Sequence, residues 1–404
     1  MLRILLLYIT LFLYIFNIVP HIGPSKIGTR IYIGIIGLIY LISSQYLYKK
    51  TVLKLIFYNG LLVIFSLLTV IINNTSDIWY IQFAILNILY ISGALLITHI
   101  FSSLLTSFYQ FIELIIYCIL ANSVISFAGF IYNPIMLFIT SIQELGNESL
   151  IEGTINFGVR ALGFGSGNFF FGGVINGLGL IFICYLIRIK YFSVGKGITL
   201  LFLLFLTGMF IARTTIIGLF FSLFLLYYKM NAKRIGYSIL YILCLFCLLL
   251  AFSSFISKIN ISWAFDFIIN LFSEGKVSND SLDTLDKMWE IEISSKTFLI
   301  GDGLSKYDDG SYYLHTDVGF LRNILYFGIL GTIFGYFLYT FLVCKLILKE
   351  VFYVNNIKIL VLVLYGFLLI VNYKGLPDYN FMLFLIISYF IVNKNKQIKN
   401  NVYS

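Results

Sequence analysis

Long apolar runs, separated by short polar stretches, fill most of the chain. Twelve runs have roughly the length of a membrane-spanning helix: 2–20, 30–48, 52–72, 79–98, 110–131, 168–187, 197–212, 214–228, 235–255, 317–344, 357–372 and 379–393. Because about 20 apolar residues in a helix cross a bilayer, the pattern predicts an all-α integral membrane protein with about twelve transmembrane helices. The runs at 197–212 and 214–228 are short, so they are expected to be tilted or to form a hairpin that stops short of the far surface.

The composition agrees with lipid as the solvent. Of the 404 residues, 60% are hydrophobic and 11% are charged, whereas about 25% are charged in soluble domains. The five cysteines lie within apolar runs, including Cys244 and Cys247, whose CxxC spacing falls in the middle of one. They are interpreted as small apolar side chains, and no metal site or cofactor is predicted.

The distribution of charge orients the chain. With the N-terminus in the cytoplasm, 16 of the 27 basic residues lie on that same side, at Arg3 and in short loops. Cytoplasmic loops carry this bias, so both termini are predicted to be cytoplasmic. The net charge of +9 is then a topological signal, which argues against nucleic-acid binding.

Two segments are predicted on the other side of a single polytopic membrane domain that covers 1–404. One is 132–167, and the other is a large extracytoplasmic loop at 256–316, before the tenth span. Residues 256–317 hold 11 of the 18 acidic residues. Within this loop, "SNDSLDTLDKMWEIEISS" predicts an amphipathic helix on the membrane surface or over the bundle, because Leu282, Leu285, Met288 and Trp289 share one face.

Three arginines at the predicted outer ends of spans need an explanation, because an arginine in hydrocarbon costs about 2.5–3.5 kcal/mol on insertion scales. They are Arg160, Arg213 and Arg322. Structural readings remain open for them, such as a turn between spans or an interfacial anchor. The functional reading is an anion site, in which the glycine-rich stretch after Arg160, with Gly163, Gly165 and Asn168, lets backbone N–H groups approach the anion.

His315 is the histidine with the most suggestive surroundings. Asp317 follows two residues later and Arg322 seven residues later, at the start of an apolar run. A neutral imidazole accepts a proton near neutral pH, and a carboxylate can orient it. A loop or capping histidine is the alternative. Elsewhere, GxxxG pairs at Gly173 with Gly177 and at Gly331 with Gly335 predict close helix contacts.

Three stretches together resemble the O-antigen polymerase and O-antigen ligase superfamily, which includes the Wzy-type polymerases of bacterial surface polysaccharides. They are "VRALGFGSGN", "FIARTTIIGL" and "LIGDGLSKYDDGSYYLHTDVGFLRNILYFGILG". The arrangement of spans, with the large loop late in the chain, is also similar. The resemblance implies a multi-pass protein of the bacterial plasma membrane that polymerises polyprenyl-diphosphate-linked oligosaccharide repeat units at the outer leaflet.

The resemblance also implies roles for the polar residues. His315 would act as the base for the acceptor hydroxyl, with Asp317 as its orienter or as an alternate base. The diphosphate would be bound by Arg160, Arg213 and Arg322, with help from Gly163, Gly165 and Asn168. Pairing with Asp317 is the alternative role for Arg322. The lipid-linked oligosaccharide and the bilayer are the expected partners, a chain-length regulator is an optional one, and no cofactor is required.

Two alternative functions stay open. A ligase of the same superfamily would move finished glycan to another acceptor. Such ligases usually carry Asn after the histidine, whereas Thr316 and Asp317 follow His315 here, which favours a polymerase. A flippase of lipid-linked oligosaccharide would be expected to carry charges through the bundle interior, whereas the polar groups here gather at one face.

Overall fold

The computed structural model describes residues 2–21, 27–144, 160–165, 169–228, 236, 270, 280–351, 354 and 356–402. The regular structure in this part of the chain is helical. Its α-helices are α1 (Leu2–Phe16), α2 (Thr29–Ser43), α3 (Lys50–Asn73), α4 (Trp79–Ile100), α5 (Phe108–Ile131), α6 (Asn133–Ile142), α7 (Phe169–Arg188), α8 (Val194–Ile211), α9 (Thr215–Tyr227), α10 (Asp280–Trp289), α11 (Ser295–Ile300), α12 (Gly319–Gly331), α13 (Leu338–Glu350), α14 (Ile357–Val371) and α15 (Asn380–Val402).

These helices confirm the prediction of an all-α membrane protein at a coarse level. Eleven of the twelve apolar runs fall on helices, and the run at 235–255 lies outside the described residues except for Gly236. Within the described part, six helical segments are long and apolar enough to cross a membrane, namely α3, α4, α5, α7, α8 and Gly319–Glu350. The other apolar helices are shorter, and the count of twelve spans stays a prediction.

Helix α6 lies in a segment that was expected to be part of a loop. Pro134 stands in its first turn, where the missing N–H costs no helical hydrogen bond. Serine residues cap the start of other helices. At the start of α5, for example, the Ser107 hydroxyl accepts a hydrogen bond from the N–H of Gln110. Asn74 ends α3 in the left-handed conformation, with φ of 52°, a common way to stop a helix.

The chain forms two compact units, and each combines segments that are distant in sequence. Unit 1 contains Met1–Arg30, Ser103–Val277 and Lys358–Phe367, and unit 2 contains Ile31–Ser102, Ser278–Ile357 and Leu368–Ser404.

Helix α7 forms the centre of unit 1. Of its 20 residues, 16 are buried, and it packs against α5, α8 and α9. A Cβ atom on Gly218 of α9 would lie 2.1 Å from the Cα of Gly177, so the two backbones touch. The predicted helix contact at Gly177 is therefore confirmed.

Helix α4 is the most buried long helix of unit 2, and it packs against α3 and α15. On α2, a Cβ atom at Gly37 would lie 2.4 Å from the carbonyl oxygen of Ser92, so α2 also approaches α4 closely. The second GxxxG pair, Gly331 with Gly335, shows no such close approach at Gly335. A Cβ atom there would lie at van der Waals distance from side chains of α3.

The segment that is predicted to form an amphipathic helix contains α10. Its Leu285, Met288 and Trp289 pack with Val318 and Leu321, at the start of α12. Trp289 also stacks on Tyr373, with ring centroids 4.9 Å apart. The apolar face of α10 is therefore covered by the bundle of unit 2.

The long segment from Gly319 to Glu350 is interrupted. Gly328 has φ of 68° and ψ of 177°, which breaks the helical path inside α12. A π-helical turn, Thr332–Phe337, then leads into α13. Such breaks leave backbone groups that need partners elsewhere.

Candidate functional site

The loop 160–165 of unit 1 lies against the turn between α8 and α9. The N–H of Ala161 donates to the carbonyl of Phe210 at 2.9 Å. Helix α7 also packs against this turn, since a Cβ atom on Gly173 would lie 2.8 Å from the Cβ of Ala212 and 3.0 Å from that of Thr214. The chain thus brings Arg160 and Arg213, which are far apart in sequence, into one region.

Electrostatics shows that these two guanidinium groups are close. Burial lowers the pKa of Arg160, and the positive charge of Arg213 lowers it further. Both side chains are partly buried, and the guanidinium carbon of Arg160 lies 5.0 Å from the centre of the Phe169 ring. Two cations in a partly dehydrated region favour a bound anion.

Two buried carboxamides hold the loop after Arg160 in place. Asn122 of α5 accepts a hydrogen bond from the N–H of Phe164 at 2.9 Å and donates to its carbonyl at 3.2 Å. Gln143 donates to the carbonyl of Gly163 at 2.9 Å and accepts from the N–H of Gly165 at 2.8 Å. We call these hydrogen bonds of Asn122 and Gln143 the amide clamp. The sequence gives only a weak signal for the clamp, namely a polar amide inside or at the end of an apolar run.

The glycines of this loop have a packing role in the structure. A Cβ atom on Gly163 would lie 2.0 Å from the Ser126 hydroxyl, and one on Gly165 would lie 1.6 Å from the carbonyl oxygen of Phe16. The N–H of Gly165 is already bonded to Gln143, so it does not support the predicted contact with diphosphate. Asn168 lies outside the described residues.

A third arginine of unit 1, Arg30, was missed by the sequence reasoning, and its role is structural. Its side chain is 2% exposed, and it donates to the carbonyls of Tyr14 and Ile15 at 2.7 and 2.6 Å. These carbonyls close the last turn of α1, where a cation is favoured.

In unit 2, the "GDG" stretch packs against the break in α12. The N–H of Asp302 donates to the carbonyl of Leu325 at 2.7 Å, and that of Gly303 donates to the carbonyl of Tyr326 at 3.1 Å. These donors serve carbonyls just before the interruption at Gly328. Gly301 has φ of 75°, and its Cβ would lie 2.2 Å from the carbonyl oxygen of Tyr326, so this position requires glycine.

An acid that the sequence reasoning missed anchors this loop to α4. The carboxylate of Asp77 accepts hydrogen bonds from the N–H and hydroxyl of Ser305, both at 2.6 Å. It also accepts from the N–H of Trp79 at 2.9 Å, at the start of α4. Its position just before an aromatic-rich helix was the available signal, since acids favour helix N-termini.

His315 is exposed and has an unusual backbone conformation, with φ of 53°. Its ring lies 5.5 Å from that of Tyr307. Among the described residues, its imidazole makes no hydrogen bond with Asp317 or with another side chain. His315 interacts electrostatically with Asp309, whose pKa is lowered mainly by two hydrogen bonds from Ser311 and to a smaller degree by His315.

Asp317 stands instead among cations. Although its side chain is exposed, the protein atoms around the carboxyl remove part of its hydration and raise its pKa. A backbone hydrogen bond, Lys374 and Arg322 act in the opposite direction. Asp317 and Arg322 are thus neighbours, but they form no salt bridge in the described part of the chain.

Arg322 is held by aromatic rings. Its guanidinium carbon lies 3.9 Å from the centre of the Tyr312 ring and 5.5 Å from that of Trp79. Its Nε is buried and has no hydrogen-bond partner among the described residues. Cation–π contacts orient the group, and a guanidinium suits an anion because its N–H donors form a fork.

Chemically, the two regions offer guanidinium groups, an exposed imidazole and an exposed carboxyl with a raised pKa. No group of three metal-binding side chains occurs within the residues that the structure covers. No protein-family model, curated protein or solved structure matched this chain. The apolar helices define its class as an α-helical membrane protein.

Proposed function

We propose that this protein polymerises polyprenyl-diphosphate-linked oligosaccharide repeat units into a surface polysaccharide at the outer leaflet of the bacterial plasma membrane. In this reaction, a sugar hydroxyl of one lipid-linked unit forms a new glycosidic bond to another unit. The bond that breaks joins the anomeric carbon of this other, donor unit to its diphosphate, and the donor's polyprenyl diphosphate leaves. The hydroxyl proton passes to a base. The diphosphate linkage supplies the free energy, so no cofactor is needed.

The environment of Arg322 is the observation that carries the proposal. This residue stands in the first turns of a candidate membrane span. A guanidinium in such a position is costly unless it has a partner or a function. In the described part of the chain, ring faces hold it, and it forms no salt bridge, although its charge interacts with the nearby Asp317 carboxyl. A diphosphate at the membrane surface matches its forked donors and its charge.

The pair of Arg160 and Arg213 supports the same chemistry in unit 1. Each residue stands in a loop or turn at the end of an apolar helix, where a lipid-linked diphosphate is accessible. The two positive charges repel each other, and a ligand that carries two negative charges would reduce this repulsion. Stabilising the charge that develops on a leaving group is commonly the largest contribution to catalysis.

Aromatic rings beside His315 and Arg322 suit the sugar part of the substrate. Tyr307 is 38% exposed and lies 5.3 Å from the Tyr313 ring. Tyr312 lies over the guanidinium itself. Amphipathic rings of this type offer an apolar face to the C–H groups of a sugar and a polar edge to its hydroxyls.

The acceptor hydroxyl needs a base, and His315 stays the first candidate. Its imidazole is exposed and makes no hydrogen bond with a described side chain, so a ring nitrogen is accessible to a hydroxyl proton. Asp317 is the alternate base, because a raised carboxyl pKa brings the group closer to the range useful for proton transfer.

A deletion strain tests the function. Its surface glycan and its lipid-linked intermediates would be separated by size. The proposal predicts single repeat units at the surface and loss of the polymer ladder. Long polymer retained on the polyprenyl carrier would instead indicate a ligase. Repeat units trapped on the cytoplasmic side would indicate a flippase. Either of these two results would contradict the proposal.

Complementation of that strain tests the site. Arg322→Gln should lower polymer formation by about 100-fold, the scale expected when one stabiliser of transition-state charge is lost. Arg3→Gln is the matched control, because Arg3 is exposed near the N-terminus. Both variants must reach the membrane in equal amounts. Wild-type polymer levels with Arg322→Gln would remove Arg322 from the mechanism.

A further inference from the structure

A basic cavity within unit 2 is lined by residues other than those of the candidate site. It has a volume of about 350 Å³ and lies between the N-terminal end of α3 and the C-terminal end of α13. Both helices belong to candidate membrane spans, so the cavity opens where spans end. Its volume falls within the range of about 300–1,000 Å³ that is typical of ligand pockets.

The lining of this cavity is strongly positive. Four lysines contribute to it, Lys49, Lys50, Lys54 and Lys349, and Glu350 is its single acidic residue. The Glu350 carboxylate is buried and accepts a hydrogen bond from the Thr51 hydroxyl at 2.6 Å. The lining therefore has an excess of positive charge.

Lys49 is fixed by its own contacts, but the other three lysines are not. The Lys49 amine donates to the carbonyl of Ile391 at 2.7 Å and lies 4.5 Å from the centre of the Tyr46 ring. Lys50, Lys54 and Lys349 make no salt bridge in the described part of the chain. Their charges are thus available to a ligand.

The backbone adds to this preference for an anion. Lys50 and Lys54 are four residues apart on α3, so they share one face of its first turns. The first N–H groups of a helix have no partner within the helix, and its dipole places partial positive charge at that end. Leu346 and Ile391 supply apolar wall next to the charged groups.

We propose that this cavity binds a phosphate group that carries a net negative charge, at the membrane boundary. An anionic phospholipid presents that group together with apolar chains, and a soluble phosphate compound presents it alone. The site is separate from the proposed polymerase chemistry, and the inference does not depend on that function. Basic pockets between membrane helices are suited to phospholipid headgroups.

Native mass spectrometry of the purified full-length protein in detergent tests this site. Phosphatidylglycerol, phosphatidylcholine and inorganic pyrophosphate would be titrated separately. Saturable binding of phosphatidylglycerol alone identifies a lipid headgroup, whereas competition by pyrophosphate identifies soluble phosphate as a second source. Absence of saturable binding by both phosphatidylglycerol and pyrophosphate, or equal binding of phosphatidylcholine, overturns the proposal.

Variants link the binding to the cavity. The double variant Lys50→Gln/Lys54→Gln should bind about 30-fold more weakly, given roughly 1 kcal/mol per lysine near an anionic surface. Lys345→Gln is the matched control, since Lys345 is exposed on α13 and does not line the cavity. A melting temperature equal to that of the control shows that the double variant is folded. Unchanged affinity in such a folded double variant would refute the assignment.

Discussion

Removing the Gln143 side chain should release the loop that carries Arg160. Gln143 is 1% exposed, and its amide bonds to two backbone groups, the carbonyl of Gly163 and the N–H of Gly165. In Gln143→Ala, both groups lose their partner. Asn122 still holds Phe164, so the loop is loosened rather than detached.

The cost follows from the two orphaned groups. An unsatisfied buried backbone group costs about 1–3 kcal/mol, so two would cost roughly 2–6 kcal/mol. Hydrogen bonds inside a bilayer average only about 0.6 kcal/mol in mutant cycles, but this loop lies outside the helices, where the first figure applies. Because rehydration recovers part of the loss, we expect about 2–4 kcal/mol. For domains of 150–250 residues, where 1 kcal/mol shifts the melting temperature by about 2–4 °C, this corresponds to a decrease of roughly 4–16 °C.

The assay is thermal unfolding of the detergent-purified protein, together with polymer formation in the complemented deletion strain. Gln82→Ala is the matched control, because Gln82 is exposed and makes no hydrogen bond through its side chain among the described residues. Gln143→Ala should lower both readouts relative to this control. If the two variants melt at the same temperature and form equal polymer, the clamp does not hold the Arg160 loop.

Further predictions concern unit 2. Gly301→Ala should destabilise the protein more than Gly310→Ala. Both glycines have positive φ, but only at Gly301 would the added methyl carbon lie 2.2 Å from a carbonyl oxygen of α12. Equal melting temperatures of the two variants would contradict this. The pKa of Asp317 is raised in the folded state from its ordinary value of 3.8, so the folded wild type should lose stability as the pH rises above 3.8. Asp317→Asn should not show this loss, and parallel curves of stability against pH for the two proteins would refute the prediction. Trp289→Ala should loosen α10 from α12 and speed limited proteolysis at α10, whereas Phe298→Ala, at a 45% exposed position, should not.

The helices were predictable because lipid imposes a simple rule on the sequence. A span must be apolar along its whole length, so its position shows as a run, and α10 shows as a periodic face. The close contact at Gly177 was predictable for a related reason, since small residues mark places where helices approach.

The connections within each unit were less accessible to sequence reasoning. The clamp by Asn122 pairs groups that are 42 residues apart, and a single carboxamide in an apolar run does not indicate its partner. The break at Gly328 likewise depends on N–H groups from Asp302 and Gly303. The roles of His315 and Arg322 stay predictions that rest on residue type, exposure and neighbours.

The most direct test of the proposed polymerase is reconstitution. Lipid-linked repeat units extracted from the deletion strain would be incubated with the purified protein in liposomes, and the products would be sized by mass spectrometry. We predict lipid-linked chains of two or more repeat units, with one polyprenyl diphosphate released for each new linkage. Repeat units that stay single, with no polyprenyl diphosphate released, would contradict a polymerase.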